Sequence, residues 1–313
     1  PILNLIWEFS GNNDNRRIQK YVEPDDVKQL FDIPYIRDGK RGHLLDIYYP
    51  SSVKKGDKLP VIIDVHGGGW MYGYKEVNRP YCIALAQKGF VVVNINYRLA
   101  GDEEKVYLDE QLKDCFEAYN WVFENIENYH GDAEKVFLTG DSAGGNLVCL
   151  SEAICVRKEY AEFLGVKVPK TRFRAIGATS PVINFTVNNP IVLANRKMVF
   201  GDDYKNSSCY KHFADFGRVA VKGMAPFYLV TSKGDFVQSQ SLECYSVLIT
   251  NGIDVKFHNW TKDMQIHDFS ILKQDSEPGK IIIDEMTRFF KSKIEWSYGM
   301  FITAIKQKQI KKW

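Results

Sequence analysis

Residues 140–145 read GDSAGG, Gly140-Asp141-Ser142-Ala143-Gly144-Gly145, between the apolar run KVFLT (135–139) and NLVCLSEAICV (146–156). One serine is set among three glycines where a strand-like run gives way to a helix-like one. Glycine weakens both kinds of element, so its concentration here implies a turn that other residues cannot make. The stretch also contains G-x-S-x-G, the pattern of a serine carried on a sharp strand-to-helix turn with its oxygen above the sheet edge. A helix starting behind Ser142 would aim free backbone N–H groups and its positive dipole end at a developing anion. Such a short motif is weak alone; the strand before it and the helix after it give it weight.

Working outward, LLDIYYP (44–50), PVIIDVHG (60–67), FVVVNINY (90–97), KVFLTG (135–140), RAIGATS (174–180), FYLVTS (227–232) and VKFHNW (255–260) read as strands. Several are apolar without interruption, as strands covered on both faces are. Helical patterns lie between them at 76–88, 105–129, 143–158, 238–250 and 280–295, with Gly89 and Gly252 placed as C-cap glycines. Strands alternating with helices predict a mostly parallel sheet flanked by helices, in one domain spanning 1–313. Residues 1–40 and 182–222 do not fit the alternation and are expected to be cap elements over the site.

Composition narrows the function. The chain has 313 residues, 45% hydrophobic and 26% charged, with a formal net charge of +2. That balance gives no sign of nucleic-acid binding, and no apolar run reaches the roughly 18 residues of a membrane helix. The basic C-terminal FITAIKQKQIKKW (301–313) reads as a solvated helix rather than a membrane-surface one. Cys82, Cys115, Cys149, Cys155, Cys209 and Cys244 are scattered without a C-x-x-C pair. They read as reduced structural thiols of a cytoplasmic protein, with disulfides and secretion left open. Nothing in the pattern asks for a metal or a cofactor.

A second glycine run, His66-Gly67-Gly68-Gly69-Trp70, follows another strand. Consecutive glycines let backbone N–H groups face a ligand oxygen, the arrangement that acyl transfer needs where negative charge accumulates. A phosphate loop would have a different glycine spacing and a Lys-Ser/Thr pair.

With HGGGW (66–70), NYRLA (96–100), DCFEAYNWV (114–122), GDAEKVFLTGDSAGGN (131–146), GDF (234–236) and IHDF (266–269), the chain resembles the hormone-sensitive-lipase-like family of α/β-hydrolase carboxylesterases. The resemblance implies an α/β-hydrolase fold, Ser142 as nucleophile, and the N–H groups of Gly68, Gly69 and Ala143 as oxyanion hole. In that fold the acid and then the histidine follow the serine. His267, on a loop after the last strand, is the expected base, with His258 as fallback; His212 lies in the insertion. Asp235, ending a strand at its C-terminal edge, is the expected acid. Asp263 and Asp268 are alternatives, the latter disfavoured because a carboxylate adjacent to its own histidine seldom has the geometry to orient it.

His66 and Gly67 are read as shaping the glycine loop, Asp141 as supporting the turn, and Arg98 as an ion-pair partner for Asp114. The chain departs from the family's pattern in DFVQSQ (235–240) and YRLAGDEE (97–104). The expected function is hydrolysis of short to medium acyl esters through an acyl-enzyme, on a small-molecule substrate and with a homodimer open. Two rival readings accompany it: an amidase or arylformamidase with the same triad, and a non-catalytic small-molecule receptor on the same fold.

Overall fold

The computed structural model describes residues 2–101 and 105–310, with side chains over 11–101, 105–189 and 192–294. An eight-stranded sheet forms its centre. The strands are β1 (Val27–Pro34), β2 (Leu44–Pro50), β3 (Leu59–Val65), β4 (Val91–Ile95), β5 (Gly131–Asp141), β6 (Ile176–Thr179), β7 (Phe227–Ser232) and β8 (Val255–Trp260). Their spatial order is β1-β2-β4-β3-β5-β6-β7-β8. β2 runs antiparallel to both its neighbours, and all pairs from β4 to β8 are parallel. The helices are α1 (Ile2–Lys20), α2 (Lys75–Gln87), α3 (Leu108–Asn125), α4 (Ser142–Val156), α5 (Lys158–Leu164), α6 (Pro190–Phe200), α7 (Ser208–Phe213), α8 (Phe216–Val219), α9 (Gln238–Thr250), α10 (Phe269–Leu272) and α11 (Glu277–Ile310). This is the α/β-hydrolase architecture that the motifs imply.

Alternation along the strands builds two cores. Val61, Ile63, Val65, Val93 and Leu138 point to one face, where they meet Leu112 and Phe116 of α3 and Leu147 and Leu150 of α4. Ile62, Val92, Phe137 and Tyr228 point to the other, against Ile83 and Leu85 of α2 and Ile282, Met286 and Phe290 of α11. Both faces are covered, which is why these strands read as unbroken apolar runs.

The two stretches outside the alternation depart from expectation. Residues 27–34 are not cap but the edge strand β1, paired antiparallel with β2. Its register shifts between Leu30 and Ile33, and Asp32 has a φ of 55°. A bulge of this kind disrupts the period-2 pattern that would reveal the strand, and shields an exposed edge from further pairing. Ahead of it, α1 docks on the start of α2 and the loop before it: Tyr72 donates to Asp14 Oδ2 at 2.9 Å and Arg17 to the Val77 carbonyl at 2.7 Å.

The insertion 182–222, expected to lack a helical pattern, holds α6, α7 and α8. Ser207 and Asp215 cap the last two by accepting from the N–H groups of Tyr210 and Gly217. α7 and α8, of six and four residues, are too short for a period to be read, whereas α6 spans 11 residues. No described helix is long and apolar enough to cross a membrane. The side chains of 301–313, on which the solvated-helix expectation rests, lie outside those described.

The β1 bulge has a partner. Lys75, at the start of α2 and 1% exposed, places Nζ 2.8 Å from Asp32 Oδ1, 2.8 Å from Asp46 Oδ1 and 2.9 Å from Glu76 Oε1. Burial alone lowers a lysine pKa, yet bonds to these carboxylates hold it above its ordinary value. Replacing Lys75 with Met leaves Asp46 buried without its cation. Urea unfolding of K75M should show a loss of about 3–5 kcal/mol.

Candidate active site

The elbow is built from backbone. β5 ends at Asp141 and α4 begins at Ser142, whose φ is 52°, in the left-handed region. A non-glycine residue is held there only when its surroundings over-determine it. Here they do. A Cβ on Gly140 would meet the carbonyls of Gly144 and Val65, and one on Gly144 would meet those of Val65 and His66. The first turn of α4 therefore packs backbone to backbone against the end of β3, with no room for side chains.

Two loops at the C-terminal ends of β7 and β8 bring the remaining groups to Ser142. His267 Nε2 lies 2.9 Å from Ser142 Oγ, and His267 Nδ1 lies 2.8 Å from Asp235 Oδ1. Asp235 is itself positioned: Oδ1 accepts the Val237 N–H at 2.9 Å, and Oδ2 accepts the Thr231 hydroxyl at 3.2 Å. Burial works against its charge, but bonds to His267, Ser180 and Val237 hold the carboxyl below its usual range.

The alternatives are elsewhere. His258 Nδ1 faces Glu285 Oε2 at 3.1 Å, and its ring stacks on Trp260. His212 packs edge-on to Tyr160 and Phe163. Asp263 accepts from Trp260 Nε1 and Gln265 Nε2. Asp268 does reach the histidine, but at the other nitrogen: its Oδ2 is 2.9 Å from Nε2. A φ of 52° at Asp268 turns the carboxylate back onto its neighbour, which sequence adjacency alone does not reveal.

The glycine loop abuts the elbow from the side of β3. Gly68, Gly69 and Trp70 all have positive φ, 125°, 58° and 66°. A Cβ at Gly68 would strike the Tyr72 carbonyl, and one at Gly67 the Asp141 carboxylate. His66 Nδ1 donates to the Gly67 carbonyl at 2.7 Å, and its ring stacks on Tyr97 with centroids 4.5 Å apart. Burial pushes its imidazole down to about 4, so it is neutral and serves as a brace. Tyr97 in turn donates to the His66 carbonyl at 2.9 Å.

Beneath the elbow, Asn78 Nδ2 donates to Asp141 Oδ1 at 2.8 Å and to Asp64 Oδ2 at 2.9 Å. Burial raises both carboxyls, Asp64 to about 7, and Asp141 is raised further by Asp268 and Asp64. Arg98 grips Asp114 through Nε and Nη2 at 2.8 and 2.7 Å, fastening the strand-end YRLA segment to α3.

Two features escape the sequence reading. Phe236, directly after the acid, lies with its ring centroid 4.3 Å from that of His267 and is 55% exposed. Trp70 of the glycine loop meets Phe185 at 4.9 Å, and Phe185 meets Phe200 of α6 at 4.9 Å, tying the loop to the insertion. Among the described residues, no group of three or more His, Cys, Asp or Glu could hold a metal ion.

The chain is similar to proteins named as esterases. The BD-FAE family model matches residues 45–241. Carboxylesterase NlhH of Mycobacterium tuberculosis is 26% identical over 234 residues, covering 71% of this chain and 70% of that protein. Esterase LipQ of the same species is 35% identical over 124 residues, 39% of this chain and 28% of that protein. Among solved structures, esterase B from Lactobacillus rhamnosis, with a C4-C4 SN3 tributyrin phosphonate, superposes with a TM-score of 0.86 at 27% identity. That match covers 94% of this chain and 95% of the other. These relatives bear out the resemblance to hormone-sensitive-lipase-like carboxylesterases.

The backbone at Gly68 admits no side chain. Gly68→Ala should lower stability by about 1–3 kcal/mol through an unfavourable φ and a clash with the Tyr72 carbonyl, a change read by thermal unfolding.

Proposed function

We propose that this chain, which belongs to the BD-FAE family and is a carboxylic ester hydrolase, works through an acyl-enzyme on Ser142, with His267 as base and Asp235 as the residue that orients it. The observation that carries the reading is the unbroken Ser142 Oγ–His267 Nε2 and His267 Nδ1–Asp235 Oδ1 contact, at 2.9 and 2.8 Å. Ser142 Oγ attacks the ester carbonyl while Nε2 takes its proton. Asp235 accepts from Nδ1–H, holds the ring in register and stabilises the imidazolium.

The negative charge on the carbonyl oxygen is met by the N–H groups of Gly68, Gly69 and Ala143. Ala143 lies in the first turn of α4, where backbone donors have no partner within the helix. His66, Gly67 and Asp141 keep the loop and the elbow in contact. The imidazolium then protonates the leaving alcohol, and neutral His267 activates water for deacylation. None of these steps calls for a metal or a cofactor.

The substrate is a small-molecule ester of short to medium acyl chain, held beneath α1 and the insertion helices α6–α8 acting as a cap. The tributyrin phosphonate on esterase B supports that size, and the aromatic chain from Trp70 to Phe200 supports a firm wall rather than a long open groove. Six unpaired cysteines favour a cytoplasmic location.

Ser142→Ala should fold normally yet lose at least about 10³-fold in kcat on p-nitrophenyl butyrate. It should also no longer take a fluorophosphonate label; turnover at the wild-type rate would overturn the assignment. Across p-nitrophenyl esters of increasing acyl length, kcat/KM should peak at short to medium chains and fall for long ones. Matched anilides should react far more slowly.

A further inference from the structure

Asp268 occupies a position that its residue type normally fills differently. It precedes α10 as N-cap, where an aspartate side chain usually accepts from the first N–H groups of the helix. Here the side chain makes no cap hydrogen bond. With φ at 52°, it turns away from α10, and Oδ2 comes within 2.9 Å of His267 Nε2. Ser142 Oγ stands at the same distance from the same nitrogen. Asp268 is 5% exposed, and its other oxygen, Oδ1, is buried without a hydrogen-bond partner. A left-handed backbone and an unpartnered oxygen both cost stability, so the placement of this acid against the base needs a reason.

We infer that Asp268 is a further catalytic residue of this site, holding the proton of His267 Nε2 in the resting enzyme and facing the imidazolium during acyl transfer. The inference rests on His267 being the base for Ser142. One imidazole nitrogen cannot serve two partners at once. Nδ1–H is committed to Asp235, so a close Nε2–Asp268 contact requires a proton between them. While that proton is present, Nε2 has no lone pair free for the Ser142 hydroxyl. Release of the proton to solvent leaves Asp268 ionised and His267 neutral, and the Ser142 proton can then pass to Nε2 as Oγ bonds to the carbonyl carbon. The imidazolium so formed is flanked by Asp235 at Nδ1 and Asp268 at Nε2 until Nε2–H protonates the leaving alcohol.

The surrounding charges favour retention of the resting proton. Asp235 and Asp268 both face the imidazole, Asp141 faces Asp268 from the elbow, and Asp64 stands behind Asp141 across Asn78. Burial opposes a charged imidazole, but the carboxylates of Asp268 and Asp235 outweigh it and hold His267 well above its ordinary value. Burial likewise lifts Asp268 above the usual carboxylate range, only partly offset by His267. A base with a raised pKa is protonated, and idle, until the pH climbs through that value. The acidic limb of activity therefore lies above the ordinary histidine value of about 6.5.

The test compares kcat/KM against pH for wild type and Asp268→Asn on p-nitrophenyl butyrate, with fluorophosphonate labelling alongside. Asparagine tolerates the left-handed region and keeps the side-chain shape while removing the charge. Asp268→Gly serves as a second variant should the amide disturb folding. Both variants should move the acidic limb down by at least about one pH unit, with a lower plateau at alkaline pH. A merely structural role would scale the rate equally at every pH, and coincident limbs would overturn the inference while leaving a labelled, active Ser142 intact. Failure of the wild type to label would instead remove the Ser142–His267 reading, and this inference with it.

Discussion

The left-handed backbone at Ser142 is the constraint around which the site is arranged. With φ at 52°, the chain reverses between β5 and α4 within a single residue. Such a turn brings the first turn of the helix onto the carbonyls of Val65 and His66, and only glycine at 140 and 144 lets the two backbones approach. The same closeness leaves no space for a side chain at Gly67, where the Asp141 carboxylate lies. The two glycine-rich stretches are thus one structure, two segments of backbone pressed together beside Ser142.

What is buried beside the elbow is acid. Asp235 and Asp268 contact the His267 imidazole at opposite nitrogens, and Asp141 and Asp64 are buried on either side of Asn78. Elsewhere in the fold, buried carboxylates are matched with fixed cations: Asp46 with Lys75, Asp114 with Arg98. The difference has a chemical sense. A fixed cation holds a carboxylate permanently ionised, whereas an imidazole allows the charge to come and go with the proton. A reaction that moves one proton to and fro between oxygen and nitrogen needs the second arrangement, and a scaffold needs the first.

The substrate side is coupled to the elbow through rings. Trp70, at the end of the glycine loop, packs on Phe185, which packs on Phe200 of α6. The insertion is therefore in ring contact with the loop that carries two of the proposed oxyanion donors. Phe236, directly after Asp235, packs at a tilt on His267 with about half its surface exposed.

Much of this was legible in the chain itself. Apolar runs marked β2 to β8 because a sheet covered on both faces needs nothing else of its strands. Glycine spacing marked the elbow and the loop because backbone contact excludes every other residue. Edge strand β1 escaped, since a bulge at Asp32 breaks its alternation. Helices α7 and α8 of the insertion escaped because so short a helix carries no period. Adjacency made Asp268 look unsuited to orient its neighbour; the turn at its own Cα brings it instead to Nε2, while Asp235 holds Nδ1. Sequence by itself determined which residue types must line the turns and which segments must lie in the sheet, because those demands are local. Which acid meets which nitrogen was decided by tertiary structure, since groups brought together from residues 142, 235 and 267 obey distances that no local pattern encodes.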